Sequence, residues 1–347
     1  MAAVIVLPCC SDASEQVSFS QSQQIEREMR GFSTHYPVLW RSVLELAQSL
    51  DQSKPLLLAD CTVGGAGHSS HLLSSLPTSY LLGTDLDKEV LALAESRLQP
   101  FAGRYLLKQD SYTNIGTLPR FPGVLPPGQR FSLVLIDLGL SSYQLDTPER
   151  GFSYQHSGPL DMRFNRSDPL SATAGQIVNN SSELELRELF KRFGEEPLYR
   201  EAADVIVRYR SKRKVETTKE LADVLNYAFF ASKSLNRFQS ISRCFQALRI
   251  AVNGELRNIE TFFASIFPHI EVGGLLVTIS FHSLEDNLVK TSLERWMGEG
   301  VVELRERLFK GPGEEEIREN SRSAAGRLRY CVKVKDVARY KRNSIAQ

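Results

Sequence analysis

The stretch FSLVLIDLGLSSYQLDTPERGFSYQHSGPLDMR, Phe131 to Arg163, decides the fold. Its opening run, Leu133 to Ile136, has the length and composition of a strand buried on both faces. The run ends on Asp137, with Gly139, Ser141 and Ser142 close behind it. A carboxylate at the carboxyl end of a buried strand, followed by small turn-forming residues, is where an open α/β sheet places its ligand site. The remainder carries Gln144, Asp146, Arg150, Asp161 and Arg163 among aromatics and glycines, without a clean helical or strand period. Loops this long are usually functional or disordered, and the aromatics argue against disorder. We read it as a shaped loop over a site.

Towards the N terminus, Leu56 to Asp60 reads as a short strand running straight into Cys61-Thr-Val-Gly-Gly-Ala-Gly-His68. Glycines there let backbone N–H groups approach a ligand, and the next helix offers its positive end; a tight turn with no ligand uses the same residues. The strand Tyr80 to Thr84 ends on Asp85, eighteen positions after Gly67. An acid so placed accepts hydrogen bonds from ribose hydroxyls, which suits a dinucleotide or S-adenosylmethionine. Asp87 is the better N-cap for the helix Lys88 to Leu98. With a third strand at Tyr105 to Leu107 and the run Phe131 to Asp137, a parallel α/β sheet emerges, its ligand loops along one edge. Ahead of it, the ordered part begins near His35, leading into an amphipathic segment at Ser42 to Leu50.

Towards the C terminus, helical periods take over from Pro169: Leu184 to Phe193, Ala202 to Tyr209 and Leu221 to Phe230. Arg208 to Lys214 holds five basic residues in seven, a solvated helix end or a contact with phosphates in equal measure. The next helix runs through Cys244 to Leu256, and its apolar residues leave Gln246, Arg249 and Asn253 needing another explanation. Gly273 to Ile279 is a buried strand ending in Ser280-Phe-His-Ser-Leu-Glu-Asp286. Ser283 as a helix cap explains the two acids most simply, and the spacing lacks a full ligand set, so no metal is expected. Arg322 to Val334 ends in the alternation of a closing strand.

A chain of 347 residues with 42% hydrophobic and 24% charged residues is that of an ordinary globular protein. A net charge of +1 excludes binding of nucleic acid by global charge alone, though not a local patch. Five cysteines without C-x-x-C spacing indicate neither zinc nor a disulfide framework and suit a reducing compartment. No apolar run reaches the roughly 18 residues of a membrane span, so no membrane partner is expected. Residues 1–32 read as a flexible Ser/Gln-rich leader with no basic residue before Arg27, a poor presequence. The expected location is the cytoplasm, with mitochondrion or plastid as the alternative.

Together the motifs resemble the MraW/RsmH-type methyltransferases, which act on the N4 amine of a cytosine in small-subunit ribosomal RNA. The resemblance rests on HYPVL at His35, DCTVGGAGHS at Asp60, DLD at Asp85, DLGLSSYQLDTPERGFSYQHSGPLDMRF at Asp137, FGEEP at Phe193, FQALRIAVNGEL at Phe245 and GGLLVTISFHSLEDNLVK at Gly273. It implies a Rossmann-like class I methyltransferase core (33–146 and 245–347) with an inserted, mostly helical substrate-recognition domain (147–244). It also implies S-adenosylmethionine as cofactor, held by Ala66, Gly67 and His68 of the glycine loop, with Asp85 on the ribose and Tyr112 beside the adenine. Asp137 and Gln144 complete the contacts. The implied partner is small-subunit ribosomal RNA within a ribosomal particle, and a homodimer stays open. The chain departs from the family in having Ala66 where a glycine is usual, in Gln239 to Arg243 and in Arg322 to Ala325.

Methyl transfer from a sulfonium is an in-line displacement, so alignment and exclusion of water are the protein's main contributions. The cytosine amine is a poor nucleophile, and an acceptor on one N–H helps localise its lone pair. The Asp/Asn/Ser-Pro-Pro-aromatic motif that many amino-methyltransferases use for this is absent after Asp137. Asp161, Asn253 and His282 are the polar candidates for the cytosine pocket, with Tyr143, Phe152 or Phe281 for stacking on a base that has left its helix. Two rivals remain. A nicotinamide-dependent oxidoreductase lacks its full fingerprint, since Gly65-Ala-Gly67 is followed by Ser70. A non-catalytic ribosome-assembly factor retaining the fold would be expected to show damaged cofactor motifs, and these are intact.

Overall fold

The computed structural model describes residues 36–231, 236–305 and 309–336. The leader, and His35 of the HYPVL string, lie outside them. The described residues open with α1 (Trp40–Gln48), then alternate β1 (Leu57–Asp60), α2 (Gly67–Ser75), β2 (Tyr80–Asp85), α3 (Lys88–Leu98), β3 (Tyr105–Gln109) and β4 (Phe131–Asp137). The bounds of α3 and β4 coincide with those read from sequence. Local signals explain both: Asp87 caps α3 by accepting the Glu89 N–H, and six of the seven β4 residues are buried in succession.

A helical run follows: α4 (Ser142–Asp146), α5 (Ala174–Asn180), α6 (Glu183–Gly194), α7 (Tyr199–Arg210), α8 (Thr218–Ala231), α9 (Arg237–Asn253) and α10 (Glu255–Ser265). The loop after β4 is thus not wholly irregular. Ser141 and Gln144 form a reciprocal capping box that starts α4, and Thr173/Gln176 and Ser182/Glu185 do the same for α5 and α6. The chain closes with β5 (Ile270–Ser280), α11 (Ser283–Gly298), the two-residue β6 (Val302–Glu303), α12 (Glu314–Glu319) and β7 (Arg327–Lys333).

The seven strands form one sheet in the order β3-β2-β1-β4-β5-β7-β6, parallel except where β7 pairs with β5 and β6. The chain leaves β1 in one direction for β2 and β3, then returns to the other side of β1 for β4. That reversal is a topological switch point, and the crevice at the carboxyl ends of β1 and β4 is where such sheets bind ligands. One face packs against Phe262 and Phe263 of α10 and Leu293 and Trp296 of α11. The other packs against Val43, Leu72, Ala94 and Leu98 of α1 to α3. The helices α5 to α9 close a separate cluster around Phe190, Ile206, Leu225 and Leu248, and Phe152, Leu160 and Met162 of the long loop belong to it. The loop therefore bridges sheet and helices.

Candidate active site at the switch point

The glycine loop is built from its ends. Asp60, closing β1, is buried; it accepts the Ser69 hydroxyl on Oδ2 and the Thr62 N–H on Oδ1, pinning both sides of the loop. Thr62 Oγ1 accepts the Asp137 N–H at 2.8 Å, which ties β1 to the end of β4. The loop's glycines have unlike reasons. A Cβ on Gly67 would lie 2.4 Å from Pro37 Cγ, so this glycine answers a packing need. A Cβ on Gly65 would meet nothing within 4 Å. Ala66 sits in the left-handed region at φ 59°, a conformation that glycine adopts without strain.

Asp85 ends β2 and accepts the Gly64 N–H on Oδ2 and the Asp87 N–H on Oδ1. Burial pushes its carboxyl up to about 6 despite those two backbone bonds. Tyr112 begins the turn after β3, its ring edge-on to Phe262 with centroids 5.6 Å apart, and burial pushes its phenol well up. At the end of β4, Asp137 Oδ2 stands 3.5 Å from His68 Nε2, inside ion-pair range but without a hydrogen bond. Asp137 Oδ1 is buried and has no hydrogen-bond partner among the described residues. Burial raises this carboxyl too, and His68 opposes it. Gly139, two residues on, turns the chain at φ 104°, beside the Phe281 ring.

The predicted pocket residues occupy one connected network. Arg150, only 1% exposed, donates to Asp87 Oδ2, to Glu89 and to the carbonyls of Arg163 and Phe164. Gln144 also donates to Asp87 Oδ2, at 2.8 Å, while its oxygen accepts the Ser141 N–H. Its amide is therefore committed to the acid that caps α3, one step behind Asp85. Asp161 receives a forked pair from Arg163 at 2.8 and 3.0 Å. Burial pushes its carboxyl up, but those bonds outweigh it and hold it below the usual range. Asn253 accepts the Phe164 N–H and donates to the carbonyls of Met162 and Arg249, so its amide is satisfied.

Arg249 in turn forks onto Glu255 at 2.8 Å for both bonds and reaches Glu285 at 3.5 Å. His282 lies against the same Glu285: Nδ1 accepts its N–H at 3.4 Å, and Nε2 stands 3.0 Å from its Oε1 without aligning an N–H to it. Here sequence reading needs correcting. His282, not Ser283, caps α11, and the Ser283 hydroxyl donates to Glu195 on the α6–α7 turn instead.

The basic run also resolves. Arg208 pairs with Asp204, Arg213 with Glu220, and Arg210 donates to the carbonyls of Val178 and Ser181. The arginines serve the scaffold. So do those kept in the departing strings: Arg243 pairs with Glu196 and Arg322 with Asp146. Sequence reading missed Asp60, Asp87 with Arg150, and Glu255 with Arg249. The acid at a strand end was a usable signal for Asp60; the other two are pairings across the chain.

A doubly wound sheet with a glycine loop after β1, an acid after β2 and a buried, half-partnered acid after β4 defines a Rossmann-like α/β protein with its site at the switch point. The chain belongs to the MraW methylase family, which it matches over residues 32–334. It is 39% identical over 300 residues to the ribosomal RNA small subunit methyltransferase H of Persephonella marina, covering 86% of this chain and 99% of that protein. The protein of the same name from Solidesulfovibrio magneticus is 38% identical over 328 residues, covering 89% and 98%. Among solved structures, an rRNA methylase from Streptococcus thermophilus is similar at a TM-score of 0.36 and 14% identity, covering 84% and 93%. The fold assignment rests on the strand order itself.

Proposed function

We propose that this protein is a ribosomal RNA methyltransferase that moves the methyl group of S-adenosylmethionine to the N4 amine of a cytosine in the small subunit. The observation that supports it most directly is the unpartnered, buried Asp137 Oδ1 at the end of β4, in a chain that matches the methylase family nearly end to end. A buried carboxylate oxygen without a donor is costly unless a ligand supplies one. The cofactor brings an ammonium and a ribose, and the switch point offers a carboxylate for each. Asp137 takes the ammonium and Asp85 the ribose hydroxyls, with backbone of Ala66, Gly67 and His68 against the chain between them and Tyr112 flanking the adenine. Gln144 serves the same site by fixing Asp87.

The cofactor supplies an activated methyl on sulfur; the protein supplies alignment. The His68 ring stands beside Asp137, and Arg150 and Asn253 fix the loop that walls the acceptor side. Asp161 and His282 keep that wall in register through Arg163 and Glu285, so within the candidate trio they orient neighbours before they touch a base. The helical part, 147–244, is the substrate-recognition domain in this reading, and the RNA is met within a ribosomal particle.

The test is transfer of labelled methyl from S-adenosylmethionine to small subunits lacking the modification, followed by nucleoside digestion. Label in N4-methylcytidine is the expected result. Label in another nucleoside overturns the substrate assignment. Binding of S-adenosylhomocysteine without any transfer favours a non-catalytic assembly factor.

A further inference from the structure

Most cations of the helical part are neutralised by the protein itself: Arg187 by Glu183, Arg208 by Asp204, Arg213 by Glu220 and Arg243 by Glu196. Three at one turn are different. Lys191 and Arg192 end α6, Arg200 begins α7, and all three are exposed, with no carboxylate partner among the described residues. Each lies over an aromatic ring. Lys191 Nζ is 5.7 Å and Arg200 Cζ 5.3 Å from the centre of Tyr199, and Arg192 Cζ is 5.7 Å from that of Phe193. A cation held over a ring face gains a little electrostatic attraction without losing its charge to a counter-ion. It stays available to an outside anion.

This turn adjoins the site. Between the two helices, Glu195 accepts the hydroxyl of Ser283, the residue after His282. Gln246 of α9 donates to the Phe193 carbonyl at 3.1 Å. The end of β5 at Ile279 is in register with Asp137. The turn that carries the cations thus touches the segment just beyond the β5 end that pairs with Asp137. Lys212 and Lys214, the exposed remnant of the basic run, lie beyond the far end of α7, roughly 15 Å along its axis from Arg200.

We propose that Lys191, Arg192 and Arg200, seated on Tyr199 and Phe193, form the surface that grips the single-stranded RNA flanking the target base; this rests on the reading of the substrate as ribosomal RNA. Sequence-specific recognition of RNA mostly targets single-stranded loops and ends, whose bases can be splayed into a cleft, so the strand beside the target base is taken as unpaired. A chain with a net charge of +1 has no global field with which to hold that strand. Unneutralised cations interleaved with aromatic rings are what single-stranded binding requires, phosphates on the charges and bases on the planes.

The experiment measures binding of a small-subunit RNA fragment carrying the target cytosine, across a series of salt concentrations, alongside methyl transfer to small subunits lacking the modification. The triple variant K191A/R192A/R200A is compared with wild type and with K212A/K214A. With three cations withdrawn from the phosphates, the log–log salt slope becomes shallower by about 2, and affinity at low salt falls at least about tenfold. S-adenosylhomocysteine affinity stays at the wild-type value. Should the triple variant lose that affinity, the single exchange R192E gives the readout instead, with weaker RNA binding expected. An unchanged slope and affinity in either variant overturns the surface, as does an equal loss in K212A/K214A. A slope that falls as expected while wild type itself transfers no methyl supports the surface and overturns the proposed reaction, so the two claims fail separately.

Discussion

The carboxyl edge of the sheet and the loop that covers it are both buried and polar, yet they treat their hydrogen bonds in opposite ways. At the edge, Asp137 Oδ1 and His68 Nε2 are buried without a hydrogen-bond partner. In the loop, Gln144 and Asp161 have their side-chain groups bonded, as has Asn253 of α9, which bonds to it, and Arg150 leaves only Nε open. Unmet polar groups cost free energy in the free protein, so they persist where a ligand completes them; met groups hold a shape. The difference separates what binds from what positions, and it predicts that substitutions in the two regions fail by different measures.

The largest effect belongs to the closed region. Arg150→Met removes the cation from between Asp87 and two carbonyls and leaves Asp87 buried beside Glu89. Breaking a buried pair on one side costs about 3 kcal/mol or more. Chemical denaturation reads this directly, with the midpoint falling and the slope unchanged. Wild-type stability would make Arg150 dispensable to the scaffold and dissolve the contrast.

Asp137→Asn probes the open region and has the reverse signature. The exchange is nearly isosteric and removes a charge whose carboxyl burial already pushes up, so stability holds or rises. Cofactor binding loses a charge-assisted bond, worth about 2 kcal/mol or roughly 30-fold in affinity. Calorimetry with S-adenosylhomocysteine measures it. Loss of stability with unchanged affinity would reverse the assignment of the two regions.

This division also explains what the chain revealed before folding. Asp85 and Asp137 were legible because each terminates an apolar run, and a strand's end is a local property. The same holds for α3, whose cap at Asp87 sits beside its own first turn. Arg150 was visible as a residue but not as the bond to Asp87, sixty-three positions away. Nothing local marks such a pairing. Gly67 carries a second constraint that its spacing did not reveal: its Cβ position is taken by Pro37. At the α11 cap the sequence offered a serine and the structure uses the histidine before it, because Glu285 draws that ring onto the helix terminus.

A smaller effect lies between the two regions, at Asp85, which is bonded by backbone yet faces the site. Its carboxyl is raised to about 6 by burial, above an unfolded value of about 3.9. The folded state therefore binds its proton more tightly. That stabilises the free protein below about pH 4, and the contribution disappears as pH rises through 6. Ribose hydroxyls favour the charged form, so cofactor affinity runs the other way, falling by about tenfold from pH 7 to pH 5. Asp85→Asn flattens both profiles. A wild-type affinity independent of pH across this window would place the ribose elsewhere.

The smallest effect sharpens the comparison within the glycine loop itself. Ala66 is fully buried at φ 59°, where a Cβ crowds the following carbonyl oxygen. Its left-handed conformation costs about 1 to 2 kcal/mol relative to the right-handed region, and glycine escapes that cost. Glycine also gives the unfolded chain more freedom, which takes back about 0.4 to 1 kcal/mol. Ala66→Gly is thus expected to stabilise by about 0 to 1.6 kcal/mol, with cofactor affinity unchanged because the backbone N–H stays where it is. Denaturation and calorimetry on the same preparation test both parts. A destabilised variant would mean that the packing of the Ala66 methyl outweighs the strain at φ 59°, and that this loop, like the wall opposite, is held by packing.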